Sequence, residues 1–161
     1  MMQKTLSKEI SFQGNALHTG EVVKVKLIPS AENTGIVFVR EDLDNAELPA
    51  LVKYVNRTDR QTILQKGEAS VGTVEHLMAS LYALGIDNLR IELNGSEVPI
   101  LDGSAAPLVD LILESGIEEQ SIEKNFYVLE ETFTFKDEDG SEIMALPSDE
   151  FEVSALIDYG S

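Results

Sequence analysis

Glu75 and His76 are neighbours in this sequence, and together their side chains can do chemistry. An imidazole is a common metal ligand, and a carboxylate beside it can accept a proton from a molecule held on that metal. Neighbouring side chains on a helix point about 100° apart, so Glu75 could reach a ligand of His76 from the side. The pair therefore suggests a metal ligand beside a general base. The alternative interpretation is solvated polar surface or a local capping arrangement.

The stretch that carries the pair, 70–85, has the apolar spacing of a helix. The apolar residues recur at i, i+3, i+4, i+7 and i+10, namely Val74, Leu77, Met78, Leu81 and Leu84. Gly85 is the expected stop and Thr73 the predicted N-cap, which places Glu75 and His76 in the first turn. There the positive end of the helix dipole favours a carboxylate and disfavours protonation of an imidazole.

Four motifs along the chain resemble those of one enzyme family. They are G-N-A-L-H-T-G-E at 14–21, T-V-E-H-L at 73–77, G-I-D-N at 85–88 and E-V-P-I-L-D-G-S-A-A-P at 97–107. In this order they resemble the zinc-dependent UDP-3-O-acyl-N-acetylglucosamine deacetylases of lipid A biosynthesis. The resemblance runs from the N-terminus to about Gly160, but members of that family are far longer. The match covers their N-terminal half and slightly more.

The resemblance implies a role for each member of the pair. His76 would be one ligand of a catalytic Zn²⁺, and Glu75 would be the general base that activates water. The substrate would be a UDP-linked acylated N-acetylglucosamine, from which the N-acetyl group is removed. In the family, a second histidine and an aspartate come from an H-x-x-x-D helix in the C-terminal half, and no H-x-x-x-D occurs in this sequence.

The missing C-terminal half of the same enzyme is therefore the expected partner. One histidine and an adjacent glutamate form an incomplete set of zinc ligands. We expect the 161-residue chain to bind zinc weakly and to be inactive by itself. The alternative is a non-catalytic α+β interaction or regulatory domain, although such a module has no need for the Glu75–His76 pair.

Two further segments are candidates for the substrate side of the site. His18 and Thr19 lie in a predicted turn that resembles a family signature near the mouth of the active site, although an exposed loop histidine explains His18 equally simply. Leu64 and Gln65 belong to a predicted strand that, by the resemblance, runs beside the metal. Burial in the core is the favoured interpretation of Leu64, because buried aliphatic side chains mostly serve packing.

The apolar patterns predict an α+β fold, and the resemblance implies two similar units, each a small, mainly antiparallel sheet covered by two helices. The predicted strands of the first unit are 4–12, 21–28, 36–40, 51–55, 62–65, 88–93 and 97–101. The last two form a hairpin through Asn94–Gly95. A second helix follows Ser104, its predicted N-cap, and ends at Gly116.

The polar, acidic stretch 117–125 is the predicted linker between the units. It divides the chain into an N-terminal α+β domain, 1–120, and a region, 121–161, that holds the linker and the incomplete start of a second α+β domain. The predicted strands of that region are 126–130, 131–135, 143–146 and 151–157. Its acidic turn, 136–142, suggests a hairpin more strongly than a calcium loop, because the spacing falls short of an EF-hand.

Composition narrows the function classes. The net charge of −17 repels nucleic-acid phosphates, so no nucleic-acid partner is expected. No apolar run reaches the length of a transmembrane segment, and the N-terminus lacks the apolar core of a signal peptide, which favours a cytoplasmic protein. The sequence contains no cysteine, so any zinc ligands must be histidines or carboxylates.

Overall fold

A computed structural model describes residues 1–157 as two compact units, Met1–Lys124 and a second that begins at Asn125. The strands in chain order are β1 (Met2–Leu6), β2 (Ile10–Asn15), β3 (Val22–Pro29), β4 (Ile36–Arg40), β5 (Ala46–Pro49), β6 (Val55–Arg57), β7 (Ile63–Lys66), β8 (Ala69–Val71), β9 (Leu89–Leu93), β10 (Ile117–Glu123), β11 (Phe133–Lys136) and β12 (Glu142–Ala145). The helices are α1 (Glu75–Leu84) and α2 (Ala106–Ser115), with a short 3₁₀ helix at Val52–Tyr54.

The first unit is built on a five-stranded sheet in the order β2-β3-β9-β4-β5. All neighbours are antiparallel except β4 and β9, which run parallel with Phe38 opposite Ile91. Alternation along β9 buries Leu89, Ile91 and Leu93 on one face, as their spacing predicts. Arg90 and Glu92 lie on the other face, where they pair with each other at 2.9 Å. The α+β fold predicted from the sequence is confirmed.

The hydrophobic core joins the inner face of this sheet to the two helices. Leu77 and Leu81 of α1, and Leu108 and Ile112 of α2, are buried in one cluster with the inward residues of the sheet. The helices contact each other as well as the core. Because α1 is held by this packing, the position of its first turn is set by the whole unit rather than by local preference.

The predicted hairpin after β9 is wrong. Residues 97–101 form no strand, and the contact there is a single parallel bridge between Gly72 and Glu97. Both edges of β9 are already occupied, by β3 and by β4. A strand returning through Asn94–Gly95 would have no edge to pair with, so the segment leaves the sheet and passes beside Gly72 instead.

The predicted linker is also wrong over most of its length. Residues Ile117–Glu123 form β10, which pairs antiparallel with β1, and the first unit extends to Lys124. The predicted strand 4–12 is in fact two strands, β1 and β2, which belong to different sheets. The predicted strand 51–55 begins as the 3₁₀ helix, after which β6, β7 and β8 form a small antiparallel sheet.

The second unit contains one hairpin, β11–β12, within its described residues. The Asp137 amide donates to the Ser141 carbonyl at 2.8 Å across the turn, which confirms the predicted hairpin. The predicted strands 126–130 and 151–157 are wrong, because these residues have no strand to pair with in the described chain. Residues 158–161, the end of the predicted second region, lie outside the described residues.

Gly85 ends α1 as predicted, with a φ of +71°. The Ile86 amide donates to the Leu81 carbonyl at 2.9 Å, as in a Schellman motif. We expect Gly85→Ala to lower the free energy of unfolding by about 1 kcal/mol, because a Cβ disfavours this left-handed conformation. Gly85→Asn should cost less, since asparagine tolerates it. Urea unfolding of both variants tests this, and equal losses would contradict it.

Candidate functional site

Glu75 and His76 are the first two residues of α1, and both side chains are half-buried. The Glu75 carboxylate accepts a hydrogen bond from the Thr62 amide at 3.0 Å, which ties α1 to the residue just before β7. The His76 imidazole has no hydrogen-bond partner within residues 1–157, and the bond from the Ser80 hydroxyl goes to the His76 carbonyl. The first turn therefore holds a fixed carboxylate beside an imidazole whose nitrogens are not engaged by the described protein.

Thr73 does not cap the helix, so this prediction is wrong. The residue before the helix is Val74, in the right-handed helical region, and it makes no side-chain cap bond. Thr73 has a φ of +54°, a left-handed conformation that is a genuine outlier for a β-branched residue. Its hydroxyl accepts no bond from an amide of the first turn of α1; it lies 2.8 Å from the Glu97 carboxylate, to which it donates, and 3.2 Å from the Gln61 side-chain oxygen.

The Glu97 side chain accepts hydrogen bonds from both the turn after β2 and the segment just before α1. Only 2% of this residue is exposed. One carboxylate oxygen accepts from the Leu17 and His18 amides, each at 3.1 Å, and from the Thr73 hydroxyl. The other accepts from the His18 amide at 3.2 Å and the Thr19 amide at 3.0 Å. The turn after β2 and the residue two before Glu75 are thus fixed by one side chain.

These bonds also control the charge of Glu97. Burial by itself raises the pKa of this carboxyl, because it penalises the charged form. The hydrogen bonds from the Thr73 hydroxyl and from the His18 and Thr19 amides lower it by more, with a further contribution from the His18 side chain. The net result is a pKa below the ordinary value of 4.5, so Glu97 is a buried carboxylate at neutral pH.

The lowered pKa predicts how stability depends on pH. Above about pH 4.5 Glu97 is charged in both the folded and the unfolded chain, and its favourable bonds are fully present. As the pH falls through the lower pKa of the folded state, this contribution is lost. We therefore expect the stability gap between the wild type and Glu97→Gln to be constant near neutrality and to narrow in acid. Urea unfolding between about pH 7 and pH 3 measures the gap; a gap that widens in acid would contradict this prediction.

His18 and Thr19 lie in the exposed turn between β2 and β3, as predicted. Their backbone amides bind Glu97, and the Thr19 hydroxyl accepts from the Glu21 amide at 3.4 Å. The turn is closed by the Ala16 amide donating to the Glu21 carbonyl at 2.9 Å. The backbone of this turn is therefore anchored to the segment before α1, while its side chains face solvent.

Leu64 and Gln65 are adjacent in β7 but have different surroundings. Leu64 is 4% exposed and belongs to the hydrophobic core, so its side chain packs inward. Gln65 is exposed, accepts from the Asn56 side chain at 2.5 Å and donates to the Gly67 carbonyl at 3.2 Å. Neither residue is hydrogen-bonded to Glu75 or His76 in the described chain. The region is linked to the pair by the hydrogen bond from the Thr62 amide, just before β7, to the Glu75 carboxylate.

The metal-binding capacity of these residues is partial. Within residues 1–157 no group of three or more histidine, aspartate or glutamate side chains could hold a metal ion. An unengaged imidazole and a neighbouring carboxylate are nevertheless the donor types that zinc accepts. The pair therefore fits one ligand and one base, and the remaining ligands of a zinc site would have to come from elsewhere.

The sequence over residues 3–161 matches the UDP-3-O-acyl N-acetylglycosamine deacetylase family. The chain belongs to this family. It is 46% identical over 158 residues to the UDP-3-O-acyl-N-acetylglucosamine deacetylase of Myxococcus xanthus, covering 98% of this chain and 50% of that protein. The deacetylase of Coxiella burnetii (strain Dugway 5J108-111) is 42% identical, with 98% and 52% covered. The bifunctional enzyme LpxC/FabZ of Chlorobaculum tepidum is 44% identical, with 98% and 34% covered.

These comparisons confirm the family predicted from the four motifs. The chain spans about half the length of the deacetylases it matches, and a third of the bifunctional relative. Within residues 1–157, no helix has the length and apolar character needed to cross a membrane.

The family motif at 97–107 contributes Glu97, which sequence reasoning assigned to a hairpin strand. The one sequence feature that could have indicated a buried role for Glu97 is its position just before the apolar run at 98–101.

Proposed function

We propose that this chain carries part of the active site of a zinc-dependent deacetylase. The reaction would hydrolyse the N-acetyl group of a UDP-linked acylated N-acetylglucosamine in lipid A biosynthesis, in the cytoplasm. Family membership over residues 3–161 supports the substrate class. The observation that carries the proposal is the Glu75 carboxylate fixed by the Thr62 amide beside the unengaged His76 imidazole.

His76 would supply one zinc ligand. Zinc bound there would lower the pKa of a water molecule and polarise the N-acetyl carbonyl. Glu75 would act as the general base that takes up the proton of the attacking water and passes it to the departing glucosamine nitrogen. Water adds to the carbonyl carbon, the C–N bond breaks, and the products are acetate and a free amine.

The chain's two regions have different roles in this proposal. Residues 1–120, extended by the rest of β10 to Lys124, would form the first α+β domain, and the part of the 121–161 region that follows β10 would begin a second one. The other zinc ligands would come from that second half of the enzyme, which we therefore propose as the partner of Glu75 and His76. His18, Thr19 and Gln65 are exposed and would lie on the substrate side. Leu64, whose side chain packs in the core, would hold the neighbouring Gln65 in place.

The test uses the protein extended through the second half that its relatives possess, hereafter the extended protein. Acetate release from a UDP-linked acyl-N-acetylglucosamine should be lost after chelation and restored by zinc. An extended protein that folds, binds zinc and releases no acetate would refute the proposal. That result would favour a non-catalytic interaction or regulatory domain with the family's fold.

A further inference from the structure

Glu97 joins two segments of the candidate site that are far apart in the sequence. Its carboxylate receives the amides of Leu17, His18 and Thr19, which lie 78 to 80 residues away, and the Thr73 hydroxyl, which lies 24 residues away. Three successive backbone amides directed at one carboxylate form an anion-binding nest, occupied here by the protein's own side chain. Charge-assisted bonds of this kind are among the stronger hydrogen bonds in proteins.

The conformation of Thr73 indicates why such an anchor is needed. A β-branched residue at a φ of +54° is strained, and strained residues persist only where their surroundings hold them. The 2.8 Å bond from the Thr73 hydroxyl to Glu97 is such a restraint. Thr73 is followed by Val74 and then directly by Glu75 and His76, so the backbone direction at Thr73 sets where α1 begins.

We propose that Glu97 is a positioning residue, whose buried carboxylate holds the His18–Thr19 turn and the strained Thr73, two residues before Glu75, in one arrangement. Both of its oxygens are used, so an amide in its place would turn its NH₂ group toward backbone donors. This role goes beyond the general base and the metal ligand. Its consequence for catalysis rests on the proposed deacetylase function.

The direct test is amide hydrogen exchange by NMR on the 161-residue chain. In Glu97→Gln, the amides of residues 17–19 should exchange roughly 10- to 100-fold faster, while the Leu89 amide in the central sheet keeps its rate. Ser115→Ala is the control, because it also changes a buried hydrogen-bonding side chain: its hydroxyl, at the end of α2, donates to the Ile112 carbonyl at 2.7 Å. Unchanged exchange at residues 17–19 in folded Glu97→Gln would overturn the proposal.

A second variant keeps the test decisive if Glu97→Gln does not fold. Thr73→Val removes the hydroxyl but keeps the β-branched shape, and it should shift the amide resonances of Glu75 and His76. Thr73→Ser keeps the hydroxyl and should restore the wild-type positions. Resonances that are the same in all three proteins would show that the bond to Glu97 does not position α1.

Kinetics of the extended protein then separate positioning from mere stability. A displaced general base should lower kcat by roughly 10- to 100-fold in Glu97→Gln, with a much smaller change in KM, and Ser115→Ala should change neither. An unchanged kcat in Glu97→Gln would overturn the catalytic consequence. An inactive wild type would instead refute the proposed function, and the exchange experiment would still decide the role of Glu97.

Discussion

Glu75→Gln is expected to lower kcat of the extended protein by roughly 10²- to 10⁴-fold, the usual contribution of a general base. Glutamine has nearly the same shape and can still accept the hydrogen bond from the Thr62 amide, which is 3.0 Å from the Glu75 carboxylate in the wild type. It cannot take up a proton from water, so the chemical step should fail while the first turn of α1 keeps its structure. Acetate release under saturating substrate measures the effect.

Metal analysis of the same variant distinguishes a base from a ligand. If Glu75 is the base, Glu75→Gln should retain about one zinc per protein, whereas His76→Ala should lose it. Loss of zinc in Glu75→Gln would reassign the carboxylate as a ligand. Glu114→Gln, on the exposed side of α2, is the matched control and should keep both activity and zinc.

Features with a local pattern were predictable from the sequence. Alternating residues identified β9, and the helical spacing of apolar residues together with Gly85 identified α1 and its end. The polar strand β10 was not predictable, because within residues 1–157 it pairs only with β1 and most of its side chains are exposed. A strand without a buried face has no alternation to read, so it resembles a linker.

Features set by long-range contacts were missed for a physical reason. The Asn94–Gly95 pair predicts a hairpin only if an edge of β9 is free, and the parallel neighbour β4 occupies it. Similarly, threonine before a helix is normally an N-cap, and nothing local indicates that Thr73 turns to Glu97 instead. The Glu75–His76 pair could be recognised in the sequence because its residues are adjacent. Glu97 could not be connected to the segment before this pair, because only the folded chain brings it to Thr73.

The proposed division of the active site between two halves predicts the largest difference in zinc affinity and activity, that between the 161-residue chain and the extended protein. The described residues contain no group of three side chains able to hold a metal, and His76 supplies one imidazole. We therefore expect the 161-residue chain to bind zinc weakly and to release no measurable acetate, while the extended protein binds about one zinc and is active. Calorimetric zinc titration and the acetate assay, run on both proteins, measure the two differences.

The two measurements together discriminate between the remaining explanations. A stoichiometric, submicromolar zinc site in the 161-residue chain would contradict the shared site, because the ligands would then lie within it. His76→Ala in the extended protein provides the matched control. It should reduce zinc binding and activity together if the imidazole belongs to the shared site, and loss of activity with zinc retained would place the metal elsewhere. The half-buried His76 beside a fixed Glu75 favours the first outcome, because its imidazole has no hydrogen-bond partner within residues 1–157 and its nitrogens are therefore available to a metal ion.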